Sequence, residues 1–305
     1  MDTRVSYSAA ELQRLGLLSC KGDEARAFLH AQLTSDVAAL ADGESRIAGW
    51  CTAKGRLLAT FVVFMRGDDF LLQVPRELAP AVAKRLSMFI LRTKAKLVDA
   101  SSEWAQFGVW GDGAAERLSS RGLSVPQGSM RVAQADSGSV VQVASQRYWA
   151  VVPVAQRERV AAIANVTDEG AWALEEIRAG RPQVTLATQD LFVPQMVNLE
   201  RLGAVDFKKG CYPGQEIVAR TQYRGVLKRR MARARVAAQA AAGDELFADD
   251  LPGQASGVVV NAAPVPEGGS ELLAVAQISA LEGARPIRLR AADGPALELL
   301  PLPYA

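Results

Sequence analysis

The stretch Phe207 to Arg220, FKKGCYPGQEIVAR, sets one cysteine between two lysines and a Pro-Gly turn. Lys208 and Lys209 lie three and two residues before Cys211, and a helix is expected to start just after Pro213-Gly214. Both the ammonium groups and the positive end of that helix favour a thiolate over a thiol. Gly210 and Gly214 leave room for close backbone approach. Gln215 and Glu216 can start the helix, and they also carry the paired donor and acceptor groups that read a heterocycle edge. A lone cysteine packs as a small buried hydrophobe more often than it reacts. The residues by themselves leave both readings open.

The rest of the chain offers few other chemical groups. Cys20 and Cys51 are far from Cys211 and from each other, without metal-ligand spacing, so neither a disulfide framework nor a zinc site is favoured. His30 is the one histidine; it falls away from the apolar face of its helix and is expected to be exposed. Ser-His-Asp catalysis, a P-loop and a dinucleotide fingerprint find no support. Net charge is +2 over 305 residues, yet the segment from Arg201 to Arg235 holds ten Lys/Arg against Asp206 and Glu216, a net of +8 that leaves −6 elsewhere. A polyanion could bind there. Arg233 and Arg235, two apart on a strand, fit one solvated face with Ala232, Ala234 and Val236 opposite. Direct tRNA binding is not expected, because the strip's aromatics, Phe207, Tyr212 and Tyr223, do not alternate with its cations as in single-stranded RNA readers.

The elements that must position these groups are mixed α and β. A helix carrying Ala25, Phe28, Leu29, Gln32 and Leu33 on one face precedes AGWCTA and the strand LLATFVVFM, and a Gly67-Asp68-Asp69 turn leads back into FLLQV as a meander. An amphipathic helix is expected over about 76 to 91, strands at AKLVD and QFGVW, a helix after Gly111-Asp112, strands at SVVQVA and YWAVVPV, and helices over 154 to 164 and 168 to 179. Beyond Arg224 come short strands between Gly/Pro turns (RRMARARVA, ASGVVVNA, LLAVAQI, PIRLR, ALELL), the pattern of a small β-barrel, with 237 to 245 as a loop. Three domains are expected: 1 to 100, 101 to 224 and 225 to 305. The N-terminus has no apolar signal region and LLATFVVFM is about half a membrane span, so a cytoplasmic protein off the membrane is expected.

KGCYPGQE resembles the K-G-C-Y-x-G-Q-E signature of the YgfZ family, folate-binding relatives of the glycine-cleavage T-protein (aminomethyltransferase). FLHAQLTSDV (28 to 37), CTAKGRLLATF (51 to 61), LEEIRAGRP (174 to 182), PQMVNLERLGAVDF (194 to 207), RGVLKRR (224 to 230) and PLPY (301 to 304) match that family in order, so the resemblance covers nearly the whole chain. It implies an α+β, aminomethyltransferase-like fold: two intertwined ferredoxin-like domains around a central cavity and a C-terminal small β-barrel. It implies tetrahydrofolate or a one-carbon derivative as ligand, and support of iron-sulfur cluster enzymes, including radical enzymes that modify tRNA, with those enzymes or their assembly factors as partners. A monomer is expected. Carried onto this chain, Cys211 and Lys209 are the reactive pair. Lys54 and Arg56 on the AKGR turn, Lys208, Gln215, Glu216, Arg220, Arg224 and Lys228 are folate contacts, and Asn198 and Glu200 face the pterin edge. Ala59 and Thr60 stand where the transferases carry an acidic pair, which favours an accessory protein over a folate-dependent aminomethyl transferase. A single cysteine cannot hold a [4Fe-4S] cluster, which needs four thiolates, so any cluster it touches must be shared with a partner.

Overall fold

The computed structural model describes residues 7–163, 167–248, 254–283 and 285–304. The N-terminal six residues and position 164 of the expected 154 to 164 helix lie outside them. The chain divides into two compact units that interleave along the sequence: residues 1–30, 36–47 and 61–169 form one, and 31–35, 48–60 and 170–305 the other.

In the first unit, β1 (Tyr7–Glu11), β7 (Trp104–Gly111), β8 (Arg131–Ala135), β9 (Gly138–Ala144) and β10 (Arg147–Pro153) form a five-stranded sheet in the order β1-β7-β10-β9-β8. Every registered pair in it is antiparallel. Alternate residues of β7 and β10, among them Phe107, Val109, Tyr148, Ala150 and Val152, pack with Leu118 of α3 (Ala114–Ser120) and Val160 of α4 (Arg157–Ala161). The second sheet runs β3-β4-β5-β2-β6, from β2 (Leu15–Lys21), β3 (Ser45–Cys51), β4 (Leu57–Arg66), β5 (Asp69–Pro75) and β6 (Lys96–Asp99); β3 and β4 carry the chain across the boundary between the units. The expected meander is the β4-β5 hairpin. α1 (Ala25–Gln32) buries Ala25, Phe28 and Leu29 as its periodicity requires. His30 is half-buried rather than exposed, its Nδ1 3.1 Å from an Asp36 carboxylate oxygen. α2 spans only Ala79–Ser87 of the expected 76 to 91. Phe89 and Ile90 donate to the carbonyls three residues back, the tight turn that ends a helix, and Met88, Phe89 and Leu91 are left exposed.

The second unit contains α5 (Glu169–Arg178, from its second residue), α6 (Gln215–Tyr223), α7 (Ile278–Glu282) and a six-stranded sheet. That sheet is ordered β15-β12-β13-β14-β11-β16, from β11 (Arg229–Val236), β12 (Glu245–Ala248), β13 (Ala255–Pro264), β14 (Ser270–Gln277), β15 (Ile287–Leu289) and β16 (Glu298–Leu300). It curls into a half-barrel, helped by bulges at Leu246/Phe247 and Val259/Asn261. Leu246, Val259, Leu272, Ala274 and Leu289 fill it. On β11, Ala234 and Val236 face this core, while Arg233 and Arg235 reach Glu271 and Glu267 on the other side. The strand face expected to be merely solvated is therefore ion-paired. Among the described residues no helix is long and apolar enough to cross a membrane.

Candidate functional site

Every residue proposed from the sequence for ligand or chemistry lies in the second unit. The signature loop begins at a clamp. Thr34, fully buried, donates its hydroxyl to the Ala204 carbonyl at 2.6 Å and accepts the Gly49 amide at 2.7 Å, and its carbonyl accepts the Asp206 amide at 2.9 Å. The Asp206 carboxylate then accepts the amides of Lys208 and Lys209 at 2.7 and 3.0 Å. An acid that the charge count only subtracts is thus the local organiser of the loop.

Lys209 turns inward. Its Nζ donates to the Leu33 carbonyl at 2.5 Å and sits 5.0 Å above the centre of the Tyr212 ring. Tyr212 is buried, and among the described residues its hydroxyl has no hydrogen-bond partner. Burial, then Cys51 and Asp206, push the phenol well above its ordinary pKa. Cys211, between these two anchored residues, is exposed, whereas Cys20 and Cys51 are buried. Burial pushes both of those thiols up to about 12.

Gly214 opens α6 at φ +81°, as the expected Pro-Gly start requires. A Cβ there would lie 2.4 Å from the Thr52 carbonyl oxygen and 2.6 Å from the Gly55 backbone, so the turn carrying Lys54 and Arg56 packs directly on the start of α6. Gln215 donates its amide to the Lys209 carbonyl at 3.3 Å and so ties helix to loop. Glu216 points to solvent and pairs with Arg220 one turn on. Arg56 donates to the Leu191 carbonyl. Lys54, Lys208, Arg224 and Lys228 are exposed and make no ion pair among the described residues.

Asn198 and Glu200 follow a 3-10 turn at Pro194–Val197, held to α6 by Gln195, whose amide donates to the Val218 carbonyl at 2.7 Å. Asn198 is fully buried in a left-handed conformation. Its amide donates to the Met231 carbonyl at 3.1 Å and accepts from Arg230 at 2.7 Å, so both ends are engaged. The same Arg230 nitrogen donates to Glu200 Oε1 at 2.9 Å. Glu200 Oε2 is buried with no donor among the described residues. Arg230, Tyr212, Thr34 and Asp206 were not singled out from the sequence. Only the period-two alternation of β11, which turns Arg230 and Arg229 to opposite faces, could have separated Arg230 from its neighbours. Among the described residues no three His, Cys, Asp or Glu side chains converge as a metal site.

Ala59 and Thr60 are buried, and the Thr60 hydroxyl accepts the Val184 amide at 3.1 Å.

Comparison with known proteins points one way. Residues 1–125 match the family model described as the GCVT N-terminal domain. The chain is 32% identical to the "tRNA-modifying protein YgfZ" of Edwardsiella ictaluri (strain 93-146), over 94% of this chain and 89% of that one. It is 33% identical to the protein of the same name from Vibrio atlanticus (strain LGP32), over 69% of this chain and 64% of that one. Among solved structures, the glycine cleavage system aminomethyltransferase T from Bartonella henselae superposes with a TM-score of 0.78 at 17% identity, covering 99% of this chain and 87% of that one. The fold is that of the aminomethyltransferases.

Proposed function

The chain belongs to the YgfZ family, and we propose that it is a tetrahydrofolate-binding accessory protein for iron-sulfur enzymes that modify tRNA, with Cys211 as its reactive thiol. The observation that carries the folate part is Glu200 Oε2, a buried carboxylate oxygen without a donor among the described residues, fixed beside Asn198 by Arg230. A buried acceptor of this kind is costly until a ligand brings a donor to it. The amino and ring N–H groups on the edge of a reduced pterin are donors side by side, and a carboxylate accepts such a pair in bidentate fashion. Lys54 and Arg56 are cations for the tail carboxylates. When bound, the folate supplies a carrier for one-carbon units.

The chain's own residues do the rest. Arg230 holds Glu200 in place. Lys209, through Leu33 and Tyr212, and Gln215, through the Lys209 carbonyl, fix the backbone on either side of Cys211, so the thiol is presented outward from a rigid loop. An exposed thiol on a fixed loop suits exchange with a partner's thiols, or a temporary place beside a cluster whose other ligands the partner supplies. The absence of the acidic pair argues against aminomethyl transfer, since a general acid or base typically contributes about 10²-fold or more.

Two measurements test the reading together. Tetrahydrofolate titrated into the wild type should bind, and Glu200→Gln should bind at least about tenfold more weakly. A deletion strain should recover iron-sulfur tRNA-modifying activity with the wild type and not with Cys211→Ser. Rescue by Cys211→Ser, or turnover of 5,10-methylenetetrahydrofolate with an amine, would overturn it.

A further inference from the structure

The C-terminal turn of α6 presents an aromatic surface that the order of residues along the chain conceals. Tyr223 is 70% exposed and Val226 is 88% exposed, and neither reaches a core. Phe207, sixteen positions earlier, meets the Tyr223 ring edge-to-face with centroids 5.9 Å apart and planes at 70°. The ring is therefore braced from one side and open to solvent on the other.

Exposed cations adjoin both rings along the chain. The Phe207 contact brings Lys208 to the end of α6. Arg224 caps the helix, with its amide bonded to the Arg220 carbonyl. Lys228 is held through its carbonyl, which accepts the Ile278 amide at 2.9 Å, and Arg229 starts β11. All four are exposed and without an ion pair among the described residues, and the single acid between 207 and 229, Glu216, is paired with Arg220. A helix C-terminus stabilises nearby cations, which accounts for Arg220 and Arg224 as ordinary surface residues. It does not account for Lys208, Lys228 and Arg229, which lie outside the helix, nor for an open tyrosine among them. A folate monoglutamate tail, with two carboxylates, also cannot engage so many cations.

We propose that this surface binds single-stranded RNA of a tRNA loop, with a base stacked on Tyr223 and phosphates on Lys208, Arg224, Lys228 and Arg229. The proposal rests on the tRNA-modification reading above and adds direct contact with the RNA. Stacking on an open aromatic face beside guanidinium groups is how single-stranded nucleic acid is held without sequence readout. An acidic protein would use the charges and leave the ring without a role.

The test is fluorescence anisotropy with a labelled anticodon stem-loop RNA, an equal-length RNA duplex and a polyglutamate peptide, against wild type, Tyr223→Ala, Tyr223→Phe and Arg229→Ala. Thermal unfolding of each variant confirms that it is folded, and tetrahydrofolate is titrated into the same samples. The stem-loop should bind better than the duplex. Tyr223→Ala should weaken it about fivefold or more, and Tyr223→Phe less than about twofold. Four phosphate contacts predict a slope of log affinity on log salt of about −3, reduced in size by about 0.7 in Arg229→Ala. Folate affinity should be unchanged in all three variants. No binding of the stem-loop, equal binding by Tyr223→Ala, or polyglutamate binding as tightly as RNA would overturn the proposal. Loss of RNA binding in the wild type with normal folate binding sinks this inference alone. RNA binding without folate binding sinks the folate reading alone.

Discussion

Thiol chemistry gives the sharpest quantitative expectation. Burial lifts Cys20 and Cys51 to about 12, so at pH 8 only about one molecule in 10⁴ carries either thiolate, whereas a solvated reference thiol near 8.5 is about a quarter ionised. That is roughly a 2,000-fold deficit in nucleophile. A more basic thiolate attacks faster, and a Brønsted coefficient of about 0.4 to 0.5 over the difference returns about 30- to 50-fold. Reaction at the two buried thiols should thus be slower than at a solvated thiol by about 50-fold from ionisation alone, and slower again because the reagent must first reach side chains with 0% and 2% exposure. The perturbation is a short pulse of iodoacetamide at pH 8, followed by digestion and mass spectrometry of the three cysteine peptides. The native protein should carry one adduct, at Cys211, and urea-unfolded protein three. Cys211→Ser should remain unmodified in the native state. Labelling of Cys51 or Cys20 within tenfold of the Cys211 rate would refute both the burial of those thiols and the assignment of outward chemistry to Cys211.

Three further outcomes follow from the same geometry. Gly214→Ala forces a Cβ to within 2.4 Å of the Thr52 oxygen at φ +81°, so it should destabilise the protein by about 2 kcal/mol or more in urea unfolding, while Gly67→Ala, with open space around its Cβ position, should cost no more than its φ strain of about 1 to 2 kcal/mol. Lys209→Met removes a charged donor from the Leu33 carbonyl and a cation from the Tyr212 face, and should lower stability by about 1 to 3 kcal/mol, read as a lower urea midpoint at unchanged slope. In the first unit, Arg157 holds the Glu11 carboxyl below its usual value of 4.5; a depressed acid contributes stability that is complete above 4.5 and lost as pH falls through its folded value, so Glu11→Gln should flatten the acid limb of the stability profile below pH 4.5 and leave its shape near neutrality unchanged.

What the sequence discloses about this site follows the distance over which each contact acts. Lys209, Cys211, Gly214 and Gln215 are neighbours in the chain, and a turn followed by a helix start is a local event, so their arrangement can be read from their order. Strands β9, β10, β13 and β14 show themselves for the same reason, by runs of apolar residues between turns. Thr34 and Ala204 are 170 positions apart, and nothing near either residue announces the clamp that fixes the signature loop. Arg230 is one of three consecutive basic residues, and only its register on β11, facing the turn that bears Asn198 and Glu200, distinguishes it. The same limit bears on the proposed RNA surface. Along the chain Phe207, Tyr212 and Tyr223 stand singly within the basic strip, well apart from one another. The fold sets the Phe207 ring against Tyr223 and leaves the Tyr223 ring exposed next to Arg224. A stacking platform built from residues that far apart has no linear motif, so the absence of a motif is no argument against the platform.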